Sequence, residues 1–392
     1  MRKPTKKNCK TEQSIRIRTP FGDLVYVRNV DYCKICKKTF PQGDEELKIC
    51  DNIRATDDFV EIVSYVAQMV PSYGNASDLL LKTMNIDITE SQIKKITDYV
   101  GSLLHKGQME KAEASYNRPD VAMNIIPERD YRPVHKMSEL TLYISMDGSC
   151  VNTRIQDENG STWKEMKLGM TFLSSDIVKR GKTVNIENKE YVAYLGSVSE
   201  FRKLVFDSAV NAGYGKVKKV VVIGDGAAWI WNMCEELFPD AVCILDLYHL
   251  KEKIYDYGKA IFPNDSKKYT QWSEQVSWYI ETDQVKKALK KIKDNPLFDK
   301  VLEKNINLHG YITNNLSRIN YLDYRNKGYY VGSGMIESGN KVVVQKRLKQ
   351  AGQRWSKDGA QNMVSLRALY ESGNWGNIIS MLHARSNASV AG

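Results

Sequence analysis

The chain has 392 residues, a formal charge of +10 and 42% hydrophobic residues, which suits two or three packed domains and excludes a globally disordered chain. No apolar run approaches the roughly 20 residues that cross a bilayer, and the basic start MRKPTKKNCK leads into no apolar stretch of the signal-peptide kind, so a cytoplasmic protein is expected. The cationic surplus suits a polyanionic partner, nucleic acid first, about as well as it suits a basic surface kept for solubility; seven scattered cysteines fit reduced thiols or one metal site better than a disulfide framework.

Residues 1–55 read as a small basic β module. Ile15-Arg16-Ile17-Arg18 alternates, Pro20-Phe21-Gly22-Asp23 turns, and Leu24-Val25-Tyr26-Val27-Arg28 alternates again, which is a hairpin pattern. Cys33 and Cys36 then form a knuckle that resembles half of a zinc ribbon. Cys9 and Cys50 could complete a four-thiolate site; a ribbon that folds without metal is the alternative.

Residues 56–105 read as helices. Phe59, Ile62, Val63, Tyr65, Val66 and Met69 recur at helical spacing. A break is expected at Asn85-Ile86-Asp87, and Thr89 with Gln92 has the spacing of a capping box. Two short helices across a tight break resemble a helix-turn-helix, whose second helix would offer Ser91, Gln92, Lys94 and Lys95 to a DNA groove. An ordinary helical hairpin is the competing reading. Residues 106–137, polar and broken by Pro119, Pro127 and Pro133, read as a linker.

Residues 138–250 read as an α/β core. Leu140 to Met146 is a strand ending at Asp147-Gly148. Residues 163–174 and 190–196 suit two further strands, and Ser199 to Ala212 a helix. The run VVVIG then leads into Asp225, a helix follows, and Ala-Val-Cys-Ile-Leu ends at Asp246 with His249 just beyond. Short Val- and Ile-rich runs on either side of a helix make a βαβ unit with parallel strands. Ligands and catalysis gather at the carboxyl ends of such strands, so Asp147, Asp225, Asp246 and His249 are expected on one working edge. Residues 251–330 read as an all-α insertion with lysine-rich faces. Residues 331–380 return with a glycine loop, a helix carrying Glu337, and a second amphipathic helix from Lys357 that turns Met363, Leu366 and Leu369 inward. Between Lys341 and Lys357 stand Lys341, Lys346, Arg347, Lys349, Arg354 and Lys357 with no acid among them. Residues 381–392 are a tail.

Taken singly, Asp147, Asp225 and Glu337 are ordinary loop carboxylates. Brought together they would repel unless neutralised. Hard divalent cations bind such carboxylates, and a pair of them serves phosphodiester cleavage. The motifs Met146-Asp147-Gly148, Gly224-Asp225-Gly226-Ala227-Ala228-Trp229-Ile230, Asp246-Leu247-Tyr248-His249, and Gly332-Ser333-Gly334-Met335-Ile336-Glu337 continued to Gly352-Gln353-Arg354-Trp355-Ser356 carry a resemblance. From about Leu140 to Trp375 the chain resembles a bacterial insertion-sequence transposase of the DDE type, ISKra group, with kinship to Mutator-like transposases.

The resemblance implies a ribonuclease-H-like mixed sheet with an all-α insertion. Asp147, Asp225 and Glu337 would be the catalytic triad for two Mg²⁺ or Mn²⁺ ions, with Asp246 and His249 in support or merely capping the strand end. Transposon ends would be hydrolysed and the 3′-hydroxyl joined to target DNA. Lys341, Lys346, Arg347, Lys349 and Arg354 would neutralise phosphates, and Trp355 would stack on a base or sit in the core. The implied partner is double-stranded DNA, bound by a homo-oligomer in the nucleoid. A ribonuclease-H-like nuclease without strand transfer and a transposase-derived DNA-binding protein are the alternatives. A nucleotide-binding reading of Gly224-Asp225-Gly226 lacks a Walker lysine.

Overall fold

A computed structural model describes residues 10–33, 37–41, 49–50, 53–124, 136–181, 183–331 and 334–388. The chain forms two compact units: Met1–Glu110 with Cys150–Lys164 and Val342–Gly392, and Lys111–Ser149 with Glu165–Lys341.

In the first unit, β1 (Lys10–Thr19), β2 (Gly22–Cys33), β3 (Lys38–Pro41), β4 (Ile49–Cys50) and β5 (Ala55–Thr56) form a sheet of order β3-β2-β1-β5-β4. The expected hairpin is present, with Thr19 opposite Gly22 across the Pro20-Phe21 loop. Ile15 and Ile17 are buried, but Leu24, Val25 and Val27 on the return strand stay exposed. Cys9 and Cys36 lie outside the described residues, as does the side chain of Cys50 in β4; Cys33 closes β2.

The helices α1 (Asp57–Met69), α2 (Tyr73–Met84) and α3 (Glu90–Asn117) follow. Their shared core includes Phe59, Val60, Val63, Ala67, Leu80, Ile93, Ile96 and Val100. Asn85, in the left-handed conformation, ends α2. The capping box is formed: the Thr89 amide donates to Gln92 Oε1 at 3.1 Å, and the Gln92 amide donates to Thr89 Oγ1 at 3.3 Å. The second helix is not short, however. It runs 28 residues, and α4 (Pro119–Asn124) follows it, so much of the expected linker is helical. No proline intervenes before Pro119, and Val100, Leu104 and Ala112 recur at buried positions of α3, which keeps the helix favourable past 105.

The second unit holds β6 (Thr141–Asn152) as far as Ser149, β7 (Trp163–Leu173) from Glu165, β8 (Ile177–Arg180), β9 (Thr183–Ile186), β10 (Lys189–Leu195), α5 (Val198–Asn211), β11 (Lys219–Gly224), α6 (Ala228–Leu237) and β12 (Val242–Leu245). Its main sheet has the order β10-β7-β6-β11-β12. β7 and β10 are antiparallel, whereas β6, β11 and β12 are parallel. β8 and β9 form a separate small hairpin that the sequence pattern did not suggest. In β6, Leu142, Tyr143, Ile144 and Met146 are all buried. That is the mark of a strand covered on both faces, so its sequence does not alternate.

The insertion is all-α, as expected: α7 (Leu247–Ile261), α8 (Ser266–Glu281), α9 (Val285–Lys293), α10 (Phe298–Leu302), α11 (Leu308–Asn314) and α12 (Tyr321–Asn326). On α9, Ala288 and Ile292 are buried while Lys286, Lys287 and Lys290 face solvent, a solvated face of the ordinary kind. Among the described residues no helix is long and apolar enough to cross a membrane.

One continuous helical run follows: α13 (Gly334–Gly339), a π-helical segment (Asn340–Gln345) and α14 (Lys346–Leu348). Then come α15 (Lys357–Glu371) and α16 (Asn377–Ala388). α15 starts where expected, capped by Ser356. It is not amphipathic: every residue from Gly359 to Ala368 is buried, including Gln361, Asn362 and Arg367.

Candidate active site at the carboxyl edge of the sheet

The parallel register builds the site. Met146 pairs with Gly224, and Gly224 with Leu245. Asp147, Asp225 and Asp246 are therefore the next residues on three neighbouring strands, about 4.8 Å apart from strand to strand. The Asp246 amide continues the ladder, donating to the Gly224 carbonyl at 2.7 Å.

Each acid has its own surroundings. Asp147 is buried, 8% exposed. Its Oδ1 accepts from the Gly148 amide at 2.7 Å, and its Oδ2 accepts from Asn340 Nδ2. Burial pushes its carboxyl above the ordinary value and the nearby Asp225 charge adds to this; the Gly148 amide, His249 and Asn340 oppose it. Gly148 is needed for space, because a Cβ there would lie 2.5 Å from Glu165 Oε1. Asp225 is half-buried. Its Oδ1 accepts from the Ala227 amide at 2.9 Å at the entry to α6, and its carbonyl accepts from the Tyr311 hydroxyl at 2.6 Å. Gly226 takes φ +97°, and a Cβ there would meet the Tyr311 ring at 2.9 Å, so both backbone and space call for glycine.

Asp246 is the N-cap of α7. Its Oδ1 accepts from the amides of Tyr248 at 2.7 Å and His249 at 3.4 Å, where a carboxylate also complements the helix dipole. It thereby sets the entry of the helix that carries His249. His249 Nδ1 lies 3.2 Å from Glu252 Oε2, and its Nε2 is buried without a hydrogen-bond partner among the described residues. Tyr248 is exposed, and the charges of Glu252 and then Glu337 push its hydroxyl above the ordinary value.

Glu337 enters from α13. Its carboxylate pairs with Lys341 one turn on, at 2.6 Å. Asn340, three residues after Glu337 and so on nearly the same helix face, is the residue that grips Asp147. Register and this contact thus bring together Asp147, Asp225 and the helix of Glu337. They do not close a cage: among the described residues no three His, Cys, Asp or Glu side chains stand close enough to hold a metal ion. The donor set nevertheless suits a cation. Asn340 Oδ1 and His249 Nε2 are both buried polar atoms without a hydrogen-bond partner among the described residues, and Asn340 touches Asp147 while His249 acts on it electrostatically. A divalent ion, or water bound to one, would satisfy polar atoms of this kind.

A family model described as an uncharacterised protein family, UPF0236, matches residues 1–381. The chain belongs to UPF0236. It is similar to the "UPF0236 protein in vanSb 3'region" of Streptococcus gallolyticus, with 23% identity over 358 residues, 90% of this chain and 72% of that protein. In this UPF0236 chain, Asn340, Glu165 and Tyr311 are site residues that sequence reasoning passed over. Only Asn340 left a signal, its i+3 spacing from Glu337.

The basic residues of the UPF0236 chain divide sharply. Lys341, Lys346, Lys349 and Arg354 are exposed, as are Gln92, Lys94 and Lys95. Lys94 pairs with Asp98, and Gln92 is occupied as a helix cap. Arg347 corrects the expectation of a phosphate contact. It is 1% exposed, its guanidinium lies 4.8 Å from the Tyr73 ring centroid and 5.1 Å from that of Trp355, and its Nε donates to the Ala67 carbonyl at 3.1 Å. Val343, Val344, Arg347 and Leu348 share the inward face of one helical run, so the position was apolar by spacing although basic by type. Trp355 takes the core alternative. It is buried, its Nε1 donates to the Leu348 carbonyl at 3.3 Å, and its backbone bridges to Asn152 and Arg154.

Proposed function

We propose that this chain is a DDE-type DNA transposase of the ISKra kind, with a ribonuclease-H-like core that performs metal-dependent phosphoryl transfer on transposon-end and target DNA. The observation that carries the reading is that Asp147 and Asp225 each follow directly on the paired Met146 and Gly224, with Asp147 gripped by Asn340 from the helical run of Glu337. The strand succession supports it too: three strands first, then two more reached through helices, with an acid within the first and another just after the fourth. The charge of +10 suits a DNA partner.

Asp147, Asp225 and, once released from Lys341, Glu337 would hold the divalent ions. Bound there, Mg²⁺ or Mn²⁺ supplies positive charge to the attacking and leaving oxygens. The chain does the rest. The Gly148 amide and Asn340 fix both oxygens of Asp147, so that it is oriented before DNA arrives. Glu252 holds Nδ1–H of His249, leaving the Nε2 lone pair to accept a hydrogen bond from an attacking water or 3′-hydroxyl. Lys341 is exposed and can exchange Glu337 for a DNA phosphate, coupling DNA arrival to completion of the acid set.

The test is cleavage and joining of DNA that carries the sequences flanking the gene, with Mg²⁺ or Mn²⁺. The wild-type protein should nick the ends and join the 3′-hydroxyl to a second duplex. Asp225→Asn should lose more than the ~10–100-fold typical of residues that merely support a metal ligand, with DNA binding retained. Cutting by Asp225→Asn at the wild-type rate would remove the site. Cutting without joining would leave a ribonuclease-H-like nuclease.

A further inference from the structure

Away from the acids, the second unit holds two cysteines that the proposed chemistry does not use. Cys234 lies on α6, 1% exposed, and Cys243 on β12, half-buried. Their sulfurs are 2.7 Å apart, closer than unbonded sulfurs ordinarily approach. Arg318 stands beside them, and three contacts hold it there. Its guanidinium lies over the Trp231 ring at 4.6 Å, its Nη2 is 3.7 Å from Glu235, and its Nη1 donates to the Asn314 carbonyl at 3.4 Å.

The pair is asymmetric. The hydrogen bond from Cys234 lowers the pKa of the Cys243 thiol from its ordinary value, and Arg318 adds to this against burial. The Cys234 thiol is pushed up by donating that hydrogen bond and by burial. A half-buried thiol whose ionisation a nearby cation favours, backed by a more deeply buried second thiol, has the arrangement of an attacking and a resolving cysteine.

We propose that Cys234 and Cys243 form a reversible disulfide modification site that reacts with low-molecular-weight disulfides. The Cys243 thiolate attacks one sulfur of the reagent R–S–S–R, forming a mixed disulfide and expelling R–S⁻. Cys234 then loses its proton and attacks Cys243 Sγ, closing the protein disulfide and expelling the second R–S⁻. Two thiols are oxidised, one reagent disulfide is reduced to two R–SH, and the thiol protons pass to the leaving thiolates. The new bond ties α6, which follows Asp225, to β12, which precedes Asp246, and it leaves Arg318 with Glu235 as its acidic neighbour.

The experiment treats pre-reduced, full-length protein with oxidised glutathione, alkylates with iodoacetamide and maps the peptides by mass. Exposed Cys150 reports that the reagent acted. The expected result is a Cys234–Cys243 cross-link with loss of two hydrogens, reversed by dithiothreitol. Cys234→Ser should stop at the mixed disulfide on Cys243, and Cys243→Ser should leave Cys234 unreacted. The proposal is overturned if both cysteines of the wild type still alkylate after treatment, or if the wild type accumulates glutathione on Cys243 without closing. No outcome depends on whether the chain acts on DNA.

Discussion

Two polar stretches of this chain behave in opposite ways. At the carboxyl edge of the β6-β11-β12 ladder, Asp225 and Asp246 stand where their strands end and Asp147 where the pairing of β6 with β11 ends, although β6 itself runs on to Asn152, past the expected end at Asp147-Gly148; buried Val221, Val222, Ile223 and Ile144 fix the register. In the basic stretch from Lys341 to Lys357, residues of one chemical type part company: Lys349 and Arg354 face solvent, whereas Arg347 lies between two aromatic rings. A strand end is a property of the backbone ladder and shows in the local pattern. The side of a helix that meets the core depends on what packs there.

The sharpest way to break this contrast is Arg347→Ala. It removes a buried cation between Tyr73 and Trp355 and leaves a cavity, so it should cost about 2–4 kcal/mol in chemical denaturation. Arg347→Met, which keeps volume without charge, should recover much of that loss. If Arg347→Ala unfolds at the wild-type midpoint, the residue is not a core element.

Next in size is Asp246→Ala. Loss of the α7 cap should cost about 1 kcal/mol, whereas Asp246→Asn, an equally good N-cap residue, should cost much less. Equal losses from the two variants would mean that the charge, not the cap, is what matters there.

Asp147→Asn sharpens the other side. Because the folded state raises this carboxyl above its ordinary value, its ionised form destabilises the fold at neutral pH. Below the unfolded pKa of about 3.9 both states are protonated and that penalty vanishes. The variant should therefore melt higher than wild type at pH 7 without added metal, and the gain should shrink as pH falls toward 4, even while cleavage is lost. A lower melting temperature at pH 7 would contradict the buried-acid account.

The smallest stability effect belongs to Lys349→Ala with Arg354→Ala. Both side chains are exposed, so stability should stay within about 0.5 kcal/mol. DNA affinity should fall, and the slope of its logarithm against log salt should drop by about 0.9 for each phosphate no longer neutralised. An unchanged slope would leave these cations as plain surface.

The elements legible in the sequence were those whose cause is local. The β1-β2 hairpin follows from alternation around Pro20-Phe21. The start of α3 follows from Thr89 and Gln92, and the end of α2 from Asn85. Less legible were elements whose cause lies far along the chain. α3 runs well past residue 105 because Leu104 and Ala112 are buried, although the surrounding sequence is polar. α15 buries Asn362 and Arg367 because each finds a partner far along the chain, Asn362 Nδ2 donating to the Asp98 carbonyl at 3.1 Å, while Gln361 donates to Ser365 Oγ one turn on at 3.1 Å. Arg367, for instance, donates to Gln68 Oε1 at 2.8 Å and pairs with Glu371 at 2.6 Å, and hydrogen bonding of this kind makes a buried charge tolerable.

By itself the amino-acid order determined most of the succession of strands and helices, the β8-β9 hairpin apart, and the placing of Asp225 and Asp246 just past their strands; that β6 continues beyond Asp147 to Asn152 was not legible in it. Burial pattern, turn chemistry and capping act over a few residues and need no knowledge of the rest of the chain. Only the tertiary structure decided that Asn340 holds Asp147, that Asp246 uses an oxygen to cap α7, that Glu337 pairs with Lys341, and that Arg347 belongs to the core. Those outcomes depend on which surfaces meet across long sequence separations. There the desolvation of a charge and the partners it finds outweigh its chemical type.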